Sequence, residues 1–371
     1  MNTAVLPSTS IVLIFFISIG ISILSNQILL KNKHFKINTP RIGQIRWATN
    51  PKPILGGFSF FATFLLLYIY TIFSQSLPSY LFFSLTIAFI FGYLDDNFLT
   101  SPLTKIIGQL VVSICLIEND IIILISDYQS INTIFTIFWV VGLMNSINML
   151  DNMDGIVTSI SIIILGIALM IIAQSKIVKL TDVILIVGII GALIGFLFYN
   201  WNPAKIYMGD TGSQFLGAFL AWVSIQYFWI FRNNFEGGFQ IRQFLIPALA
   251  FIVPLMDTTT VTIRRLARSV SPFVGGRDHI THHLAYLGIS DKNVVRIMIG
   301  ISLSACFVIY QVIDNLKTDQ WNFYKTLTVS IYYLTIFCII QYFYEVAKRK
   351  INSVGKEEAK NIEQLDEITI T

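Results

Sequence analysis

Two long apolar runs, ILIVGIIGALIGFLFY (184–199) and FLGAFLAWVSIQYFWI (215–230), enclose the polar stretch NWNPAKIYMGDTGSQ (200–214). Each run approaches the roughly 20 residues that a helix needs to span a bilayer. The tetrapeptide DTGS also surrounds the catalytic carboxylate of soluble aspartic proteases, but those enzymes need a β-rich scaffold and these runs predict helices. Asp210 is therefore expected to work at the edge of a membrane.

The composition of the whole chain indicates the same environment. The 371 residues are 55% hydrophobic and 12% charged, whereas soluble domains are roughly 45–50% apolar and about 25% charged. Apolar runs recur from end to end, and short alternating strands of the kind that build a membrane barrel do not. The predicted fold is therefore an all-α, polytopic integral membrane protein.

We predict about eleven transmembrane helices within a single domain over residues 1–354. The polar tail 355–371 is expected to be solvated and mobile. The predicted spans are 11–30, 55–73, 79–94, 104–118, 132–148, 156–173, 183–199, 214–230, 243–261, 294–312 and 326–346. The span 104–118 ends at polar residues 118–120, so it is predicted either to tilt or to continue into the apolar run IIILI (121–125).

The distribution of Lys and Arg sets the predicted orientation. With residues 31–53 in the cytoplasm, 19 of the 25 Lys and Arg residues fall on the cytoplasmic side, as the positive-inside rule requires. The N-terminus is then outside and the C-terminus cytoplasmic. The cytoplasmic loops 31–53, 95–105, 145–155, 200–213 and 264–292 carry the unusual polar residues, which predicts a site for a water-soluble polyanion at the inner face of the plasma membrane.

Two of these loops carry carboxylates and amides. Asp95 and Asp96 are adjacent, and near a low-dielectric region such a pair requires a cation or a proton; the alternative is a charged helix end in water. Asn145 and Asn148 are three residues apart, so in a helix their amide oxygens face one stripe. These hard oxygens suit Mg²⁺, a sugar or a base, although asparagines also cap helices.

The loop 264–292 is cationic. Its histidines are His279, His282 and His283, and its arginines include Arg277. Zinc binding is an alternative that the neighbouring hard-oxygen ligands make less favourable. Neutralising and orienting phosphates is the function that we expect, because Arg and His are strong donors to phosphate.

Five ordered motifs resemble those of the polyprenyl-phosphate N-acetylhexosamine-1-phosphate transferase superfamily, the glycosyltransferase 4 family, which includes the UDP-GlcNAc:undecaprenyl-phosphate GlcNAc-1-phosphate transferases. They are PKPILGG (51–57), the Asp95-Asp96 pair with Lys105 and Gln109, NSINMLDNMDG (145–155), NPAKIYMGDTGS (202–213) and DHITHHL (278–284). The resemblance covers nearly the whole chain.

The resemblance implies a role for each matching residue. Asp210 and Asn148 would hold Mg²⁺, with Mn²⁺ as a substitute, and Asp95 and Asp96 would act at the lipid phosphate. Asn145 and Asp154 would bind the uridine, and His279 and His282 the pyrophosphate or sugar. Lys105 of the second motif and Arg277 of the cationic loop are further candidates for substrate binding. Where some relatives have a third histidine this chain has Thr281, which leaves the role of His283 open.

The implied reaction is attack of polyprenyl phosphate on a UDP-sugar, with N-acetylglucosamine as the default sugar, giving polyprenyl-diphospho-sugar and UMP. It would be the first membrane step of a cell-surface polysaccharide such as O-antigen. The expected partners are a UDP-sugar, polyprenyl phosphate and the lipid bilayer, with no nucleic acid and with a homodimer left open. The alternative hypothesis is a multi-span transporter whose polar loops form a cytoplasmic gate.

Overall fold

The computed structural model describes residues 8–31, 52–74, 79–98, 100–175, 178–229, 241–271, 276–318 and 320–369. Within these ranges the chain is helical, apart from loops and one isolated bridge between Ile54 and Tyr207. The helices are α1 (Ser8–Lys31), α2 (Gly56–Ser74), α3 (Ser79–Phe98), α4 (Pro102–Ile117), α5 (Gln129–Leu150), α6 (Ile156–Gln174), α7 (Leu180–Asn200), α8 (Gly209–Tyr227), α9 (Leu245–Ala250), α10 (Ile252–Ala267), α11 (Ile280–Tyr286), α12 (Asp291–Lys317) and α13 (Phe323–Thr369). The all-α prediction is confirmed.

Seven of the described helices are long and apolar enough to cross a membrane, and they mark the chain as a multi-pass membrane protein. They are α1, α3, α5, α6, α7, α12 and the first part of α13; α2 and α4 are apolar but shorter. Ten of the eleven predicted spans coincide with one helix each. The number of crossings and the orientation stay predictions.

Helix α8 lies in the interior of the bundle and packs against α2, α3, α5 and α6. Its residues 211–225 are all buried. Two glycines allow its neighbours to come close, because a Cβ at Gly92 of α3 would lie 2.7 Å from Cα of Thr211, and a Cβ at Gly217 would lie 2.8 Å from Cα of Met144 in α5. Small residues at helix interfaces permit this approach, which brings the polar ends of α3 and α5 to the N-terminus of α8.

The predicted span 243–261 is not one continuous helix. A 3₁₀ turn over Ile241–Phe244 leads into α9, and the chain breaks at Phe251 before α10 starts. Pro254 gives the physical reason, because it lacks the N–H that would bond to the carbonyl of Ala250 and its ring clashes with that carbonyl. The break gives α10 its own direction at the point where it approaches α5.

The run that follows α4 has no regular secondary structure. Helix α4 ends at Ile117, so it does not continue as a helix into residues 121–125; the tilt of this span stays a prediction. The backbone N–H groups of this buried segment bond to α5 side chains: Ile123 N donates to Thr136 Oγ1 at 2.9 Å and Ile125 N to Asn132 Oδ1 at 2.9 Å. Non-helical backbone is tolerated within an apolar bundle only when it is satisfied in this way.

The C-terminal tail is helical where it is described. Helix α13 has 47 residues and runs without interruption to Thr369, so the backbone of residues 355–369 is helical; residues 370–371 lie outside the described residues. Of the predicted loop 31–53, residues 32–51 also lie outside them.

Candidate functional site

The polar loops predicted from the sequence meet in one cleft of about 1030 Å³. Residues from the ends of α3, α4, α5, α8 and α10 and from the start of α11 line it. Of the ten residues predicted for the site, the cleft lining includes Asp95, Asp96, Lys105, Asn145, Asn148, Asp154, Asp210, His279 and His282. Arg277 is exposed and is not among the lining residues. The predicted convergence is therefore found, while the individual roles stay predictions.

Lys105 lies at the centre of the carboxylates. Its Nζ is 3.2 Å from Asp95 Oδ2, 3.1 Å from Asn148 Oδ1 and 3.0 Å from Asp210 Oδ1. Ser101 caps the N-terminus of α4, where its side chain accepts from Thr104 N, and Pro102 follows it. The first turn of α4 thus fixes Lys105 opposite α5 and α8.

Asp95 and Asp96 have different surroundings. Asp95 Oδ1 accepts a hydrogen bond from Thr100 Oγ1, and its other oxygen faces Lys105. Asp96 accepts from Asp210 N at 3.0 Å, from Thr211 N at 2.8 Å and from Thr211 Oγ1 at 2.6 Å. Asp96 therefore caps the N-terminus of α8, where unpaired N–H groups and the helix dipole favour a carboxylate.

Asn148 links α5 to α8. Its Nδ2 donates to Asp210 Oδ1 and, at 2.8 Å, to Ser213 Oγ, while its Oδ1 faces Lys105. Asn145, one turn earlier, exchanges hydrogen bonds with Gln109 of α4 at 2.8 and 3.2 Å. The amide of Asn145 is therefore engaged inside the protein, and its predicted contact with uridine stays a prediction.

Asp154 holds the loop that precedes α8. Its Oδ2 accepts from Asn202 Nδ2 at 3.2 Å and from Ala204 N at 2.8 Å, and it lies 3.6 Å from Lys52 Nζ. Lys52 also lies over the ring of Tyr207, 5.0 Å from its centroid. The PKPILGG motif joins the same loop through the backbone, since Tyr207 N donates to Pro53 O at 2.9 Å.

The cationic loop 264–292 is anchored by a carboxylate that was not predicted from the sequence. Asp257 of α10 accepts from His279 Nδ1 at 2.7 Å and from Ile280 N at 2.8 Å, and it is 1% exposed. With Nδ1 bound to Asp257, Nε2 is the ring nitrogen left for the cleft. The signal was present, because a lone carboxylate inside a predicted apolar span is a functional candidate.

Charges around this loop set the protonation of its side chains. Burial alone would lower the pKa of His279, but Asp257, with help from Asp278, raises it above its ordinary value. Burial, together with His279, lowers the pKa of His282 to about 4. Burial also opposes ionisation of Asp278, but its hydrogen bond with Arg265 lowers the pKa of that carboxyl. His279 is thus the most readily protonated of the three histidines in this loop.

The amino-acid sequence of the chain is similar to those of known proteins. A family model described as "Glycosyl transferase family 4" matches residues 78–228, the part that contains α3 to α8. The phospho-N-acetylmuramoyl-pentapeptide-transferase of Listeria monocytogenes is 30% identical over 260 residues, which cover 62% of this chain and 74% of the relative. The chain belongs to glycosyl transferase family 4.

Other similar members of family 4 have related names. The probable undecaprenyl-phosphate N-acetylglucosaminyl 1-phosphate transferase of Bacillus subtilis is 32% identical over 225 residues, 57% of this chain and 59% of the relative. The decaprenyl-phosphate N-acetylglucosaminephosphotransferase of Mycobacterium leprae is 27% identical over 245 residues, 60% of this chain and 61% of the relative. The chain thus spans about three fifths of the length of these two relatives.

Proposed function

We propose that this family 4 protein transfers a sugar-1-phosphate from a UDP-sugar to polyprenyl phosphate. An oxygen of the lipid phosphate would attack the sugar-linked phosphorus, and the bond from that phosphorus to the UMP oxygen would break. The products are polyprenyl-diphospho-sugar and UMP. N-acetylglucosamine is the sugar that we propose, since it appears in the names of the Bacillus and Mycobacterium relatives.

The observation that carries the proposal is the convergence of Asp95, Asn148 and Asp210 on the Lys105 ammonium, at 3.0 to 3.2 Å. Phosphoryl transfer requires little covalent chemistry from the protein, and it depends on positioning and on neutralising the phosphate charges. These three side chains and Lys105 come from four different helices and meet in one cleft, where they can position the phosphates and neutralise their charge. Lys105 and His279 would donate to the phosphates, and Asp95 would orient the lipid phosphate, which is already largely dianionic near neutral pH.

The same residues fit Mg²⁺. Carboxylate and amide oxygens converge here on a cation, the Lys105 ammonium, and they are the ligands that Mg²⁺ prefers. The described residues contain no group of three or more His, Cys, Asp and Glu that could hold a metal ion, and Mg²⁺ characteristically uses one or two carboxylates plus substrate phosphates. Asn148 and Asp210 would hold Mg²⁺ or Mn²⁺, and the ion would neutralise charge on the reacting phosphates.

The walls of the cleft suit an amphipathic acceptor. Its lining includes Ile106 of α4, Phe138 of α5 and Ile263 of α10 in addition to the polar groups. Phe138 is 71% exposed and Ile263 is 58% exposed. Exposed apolar side chains in a cleft that also contains part-buried charges favour a ligand with a phosphate head and a hydrocarbon tail, so the acceptor would bind along these apolar side chains.

The nucleotide would bind at a polar part of the same cleft. Lys52, Asp154 and Tyr207 lie there together and line the cleft. A cation can bind a phosphate, a hydrogen-bond acceptor can bind the N–H groups of a base, and an aromatic ring can stack on the face of that base. The predicted uridine contact of Asp154 is compatible with this arrangement.

We place the site at the cytoplasmic face of the plasma membrane. The loops that line the cleft carry most of the Lys and Arg residues, as the positive-inside rule requires, and nucleotide sugars are cytoplasmic. The reaction would start a cell-surface polysaccharide. The transporter alternative has no support, because the matched family and the named relatives are transferases.

The test is release of UMP from purified protein supplied with polyprenyl phosphate and, in separate reactions, UDP-N-acetylglucosamine, UDP-N-acetylgalactosamine and other UDP-sugars. We expect one donor to give UMP and lipid-linked sugar, and removal of divalent ions by a chelator to stop the reaction. Asp95→Asn and Asp210→Asn should abolish UMP release, whereas Asp127→Asn, at an exposed carboxylate outside the cleft, should not. Full activity in both site variants, or no UMP from any donor, would refute the proposal.

A further inference from the structure

A second layer of polar side chains lies one helical turn from the Lys105 cluster. Gln109 follows Lys105 by four residues on α4, and Gln214 follows Asp210 by four on α8. Asn145 precedes Asn148 by three on α5. Residues three or four apart share one face of a helix, so Lys105, Asn148 and Asp210 each have an amide next to them on the same helix. These three residues are named the amide layer.

The amide layer joins the three helices directly. Gln109 Nε2 lies 3.2 Å from Asn145 Oδ1 and 3.1 Å from Gln214 Oε1. Asn145 Nδ2 donates to Gln109 Oε1 at 2.8 Å and to Val141 O at 2.9 Å. Gln109 therefore exchanges two bonds with α5 and donates to α8, and it is the central member of the layer.

Burial makes these bonds costly to break. Gln109 is 1% exposed and Gln214 is 2% exposed. A buried amide that loses its partner costs about 1–3 kcal/mol, because no water can replace the bond. Sliding or rotating any one of the three helices would break at least one of these bonds. The amide layer thus resists changes in the relative register of α4, α5 and α8.

Neither Gln109 nor Gln214 lines the cleft. Any influence on the reaction must therefore pass through other residues. The residues one turn away on the same helices are Lys105 and Asp210, whose side chains are 3.0 Å apart.

We propose that Gln109 and Gln214 are positioning residues that keep Lys105, Asn148 and Asp210 at reacting distance by fixing the register of their helices. The inference rests on the proposed function, since it concerns the geometry of that reaction. Groups that act on a phosphoryl transfer are sensitive to small displacements, and a misplacement of about 1 Å can cost up to about 100-fold in rate. Loss of the layer should thus lower kcat and leave the KM for the nucleotide sugar nearly unchanged.

The first experiment compares two variants of α8. Gln214→Leu removes the acceptor for Gln109 at similar volume. Ser224→Ala is the matched control. Ser224 Oγ accepts a hydrogen bond from Trp139 Nε1 at 2.9 Å, so this substitution also breaks a buried bond between α5 and α8. The broken bond lies about 15 Å further along α8. We expect Gln214→Leu to lower kcat about tenfold or more and Ser224→Ala to leave kcat unchanged. Equal effects of the two variants would overturn the inference.

If Gln214→Leu does not fold, a second variant of the same residue tests the inference. Gln214→Asn keeps the amide and withdraws it by one methylene, so the bond to Gln109 is lost while a polar group remains. It should lower kcat with little change in KM. A kcat equal to that of the unmodified protein, or a rise in KM alone, would overturn the inference.

A double-mutant cycle distinguishes two possibilities: Gln109 and Gln214 act as one unit, or each acts independently of the other. If Gln109 and Gln214 act as one unit, Gln109→Leu combined with Gln214→Leu should cost hardly more than Gln109→Leu alone. Additive losses would overturn the inference. UMP release by the unmodified protein is measured first, so that its absence refutes the proposed function, whereas a kcat that neither substitution lowers refutes the role of the amide layer alone.

Discussion

Asp95 and Asp96 are adjacent in the sequence, but their different hydrogen-bond partners indicate different roles. Asp95 faces Lys105 and Thr100 inside the cleft. Both oxygens of Asp96 accept hydrogen bonds from the first residues of α8. We therefore interpret Asp95 as the residue that meets the substrate and Asp96 as the residue that orients α8, and with it Asp210.

This difference predicts that the two Asp→Asn variants lose stability to different extents. Asn has one acceptor oxygen, so Asp96→Asn must leave at least one N–H at the start of α8 unpaired, which costs about 1–3 kcal/mol. Asp95→Asn should cost less, because Lys105 keeps Asp210 and Asn148 as partners. Both variants should lose UMP release. Thermal unfolding in detergent measures the difference, and an Asp96→Asn protein as stable as Asp95→Asn would contradict the capping role.

His279 gives a prediction about pH. Burial acts to lower its pKa, but Asp257 outweighs this effect and raises the pKa above the ordinary value of 6.5. A raised pKa in the folded state means that protonated His279 stabilises the fold. That contribution is complete below pH 6.5 and is lost as the pH rises through the raised value.

Asp257→Asn should therefore lower the pKa of His279. If protonated His279 donates to a phosphate, the alkaline limb of the activity profile moves to lower pH in this variant. The gain in melting temperature on acidification towards neutral pH should shrink as well. Asp182→Asn is the control, because Asp182 is also a buried carboxylate but bonds to Tyr227 instead. An unchanged alkaline limb in Asp257→Asn would show that His279 does not titrate in the reaction.

At the scale of elements, helix α13 supports the cationic loop from outside the cleft. Tyr344 is 5% exposed and its ring centroid lies 4.3 Å from that of His283. The guanidinium of Arg264 lies over the same ring at 2.9 Å, and Arg268 donates to the hydroxyl at 3.0 Å. The Tyr344 side chain thus contacts residues of α10 and α11, through an edge-to-face ring contact and a cation–π contact.

Truncating that side chain should loosen the loop. We expect Tyr344→Ala to cost about 3 kcal/mol, to lower kcat and to raise amide hydrogen exchange over residues 276–286. Tyr344→Phe should keep most of the stability, because only the bond to Arg268 is lost. Tyr342→Ala on the same helix, where the side chain is 66% exposed, serves as the control. Exchange that does not change in Tyr344→Ala would exclude support by α13.

Two elements show where sequence periodicity stops being informative. Hydropathy located the apolar run 243–261 but not its break, because Leu, Ile and Phe are equally apolar in one helix or two; Pro254 was the visible signal. Residues 121–125 are as apolar as a membrane-spanning helix, yet they are not helical. Their conformation depends on Asn132 and Thr136 of the next helix, which no local pattern indicates.

For the whole molecule, the meeting of the polar loops could be predicted and their pairing could not. Once the spans are counted, alternate loops must lie on one side, so Asp95, Asn148 and Asp210 were expected together. Which atoms meet depends on the rotation and register of each helix. These are set by close approaches such as those at Gly92 and Gly217, and so the cap that Asp96 forms on α8 and the pairing of Asp257 with His279 became visible only in the structure.

The orientation of the whole molecule gives the last prediction. Lys205 is exposed in the loop before α8, and Asp127 is exposed in the segment between α4 and α5. Because α4 leads from the Lys105 end to this segment, the two positions should face opposite sides of the membrane.

Single cysteines at these positions, in a chain whose Cys115, Cys306 and Cys338 are replaced by Ser, can be labelled with an impermeant maleimide in vesicles of known sidedness. We expect Lys205→Cys to react from the cytoplasmic side alone and Asp127→Cys from the outside alone. Labelling of both from one side would contradict a bundle that crosses the membrane through α4, and reversed labelling would place the cleft on the outer face, away from cytoplasmic nucleotide sugars.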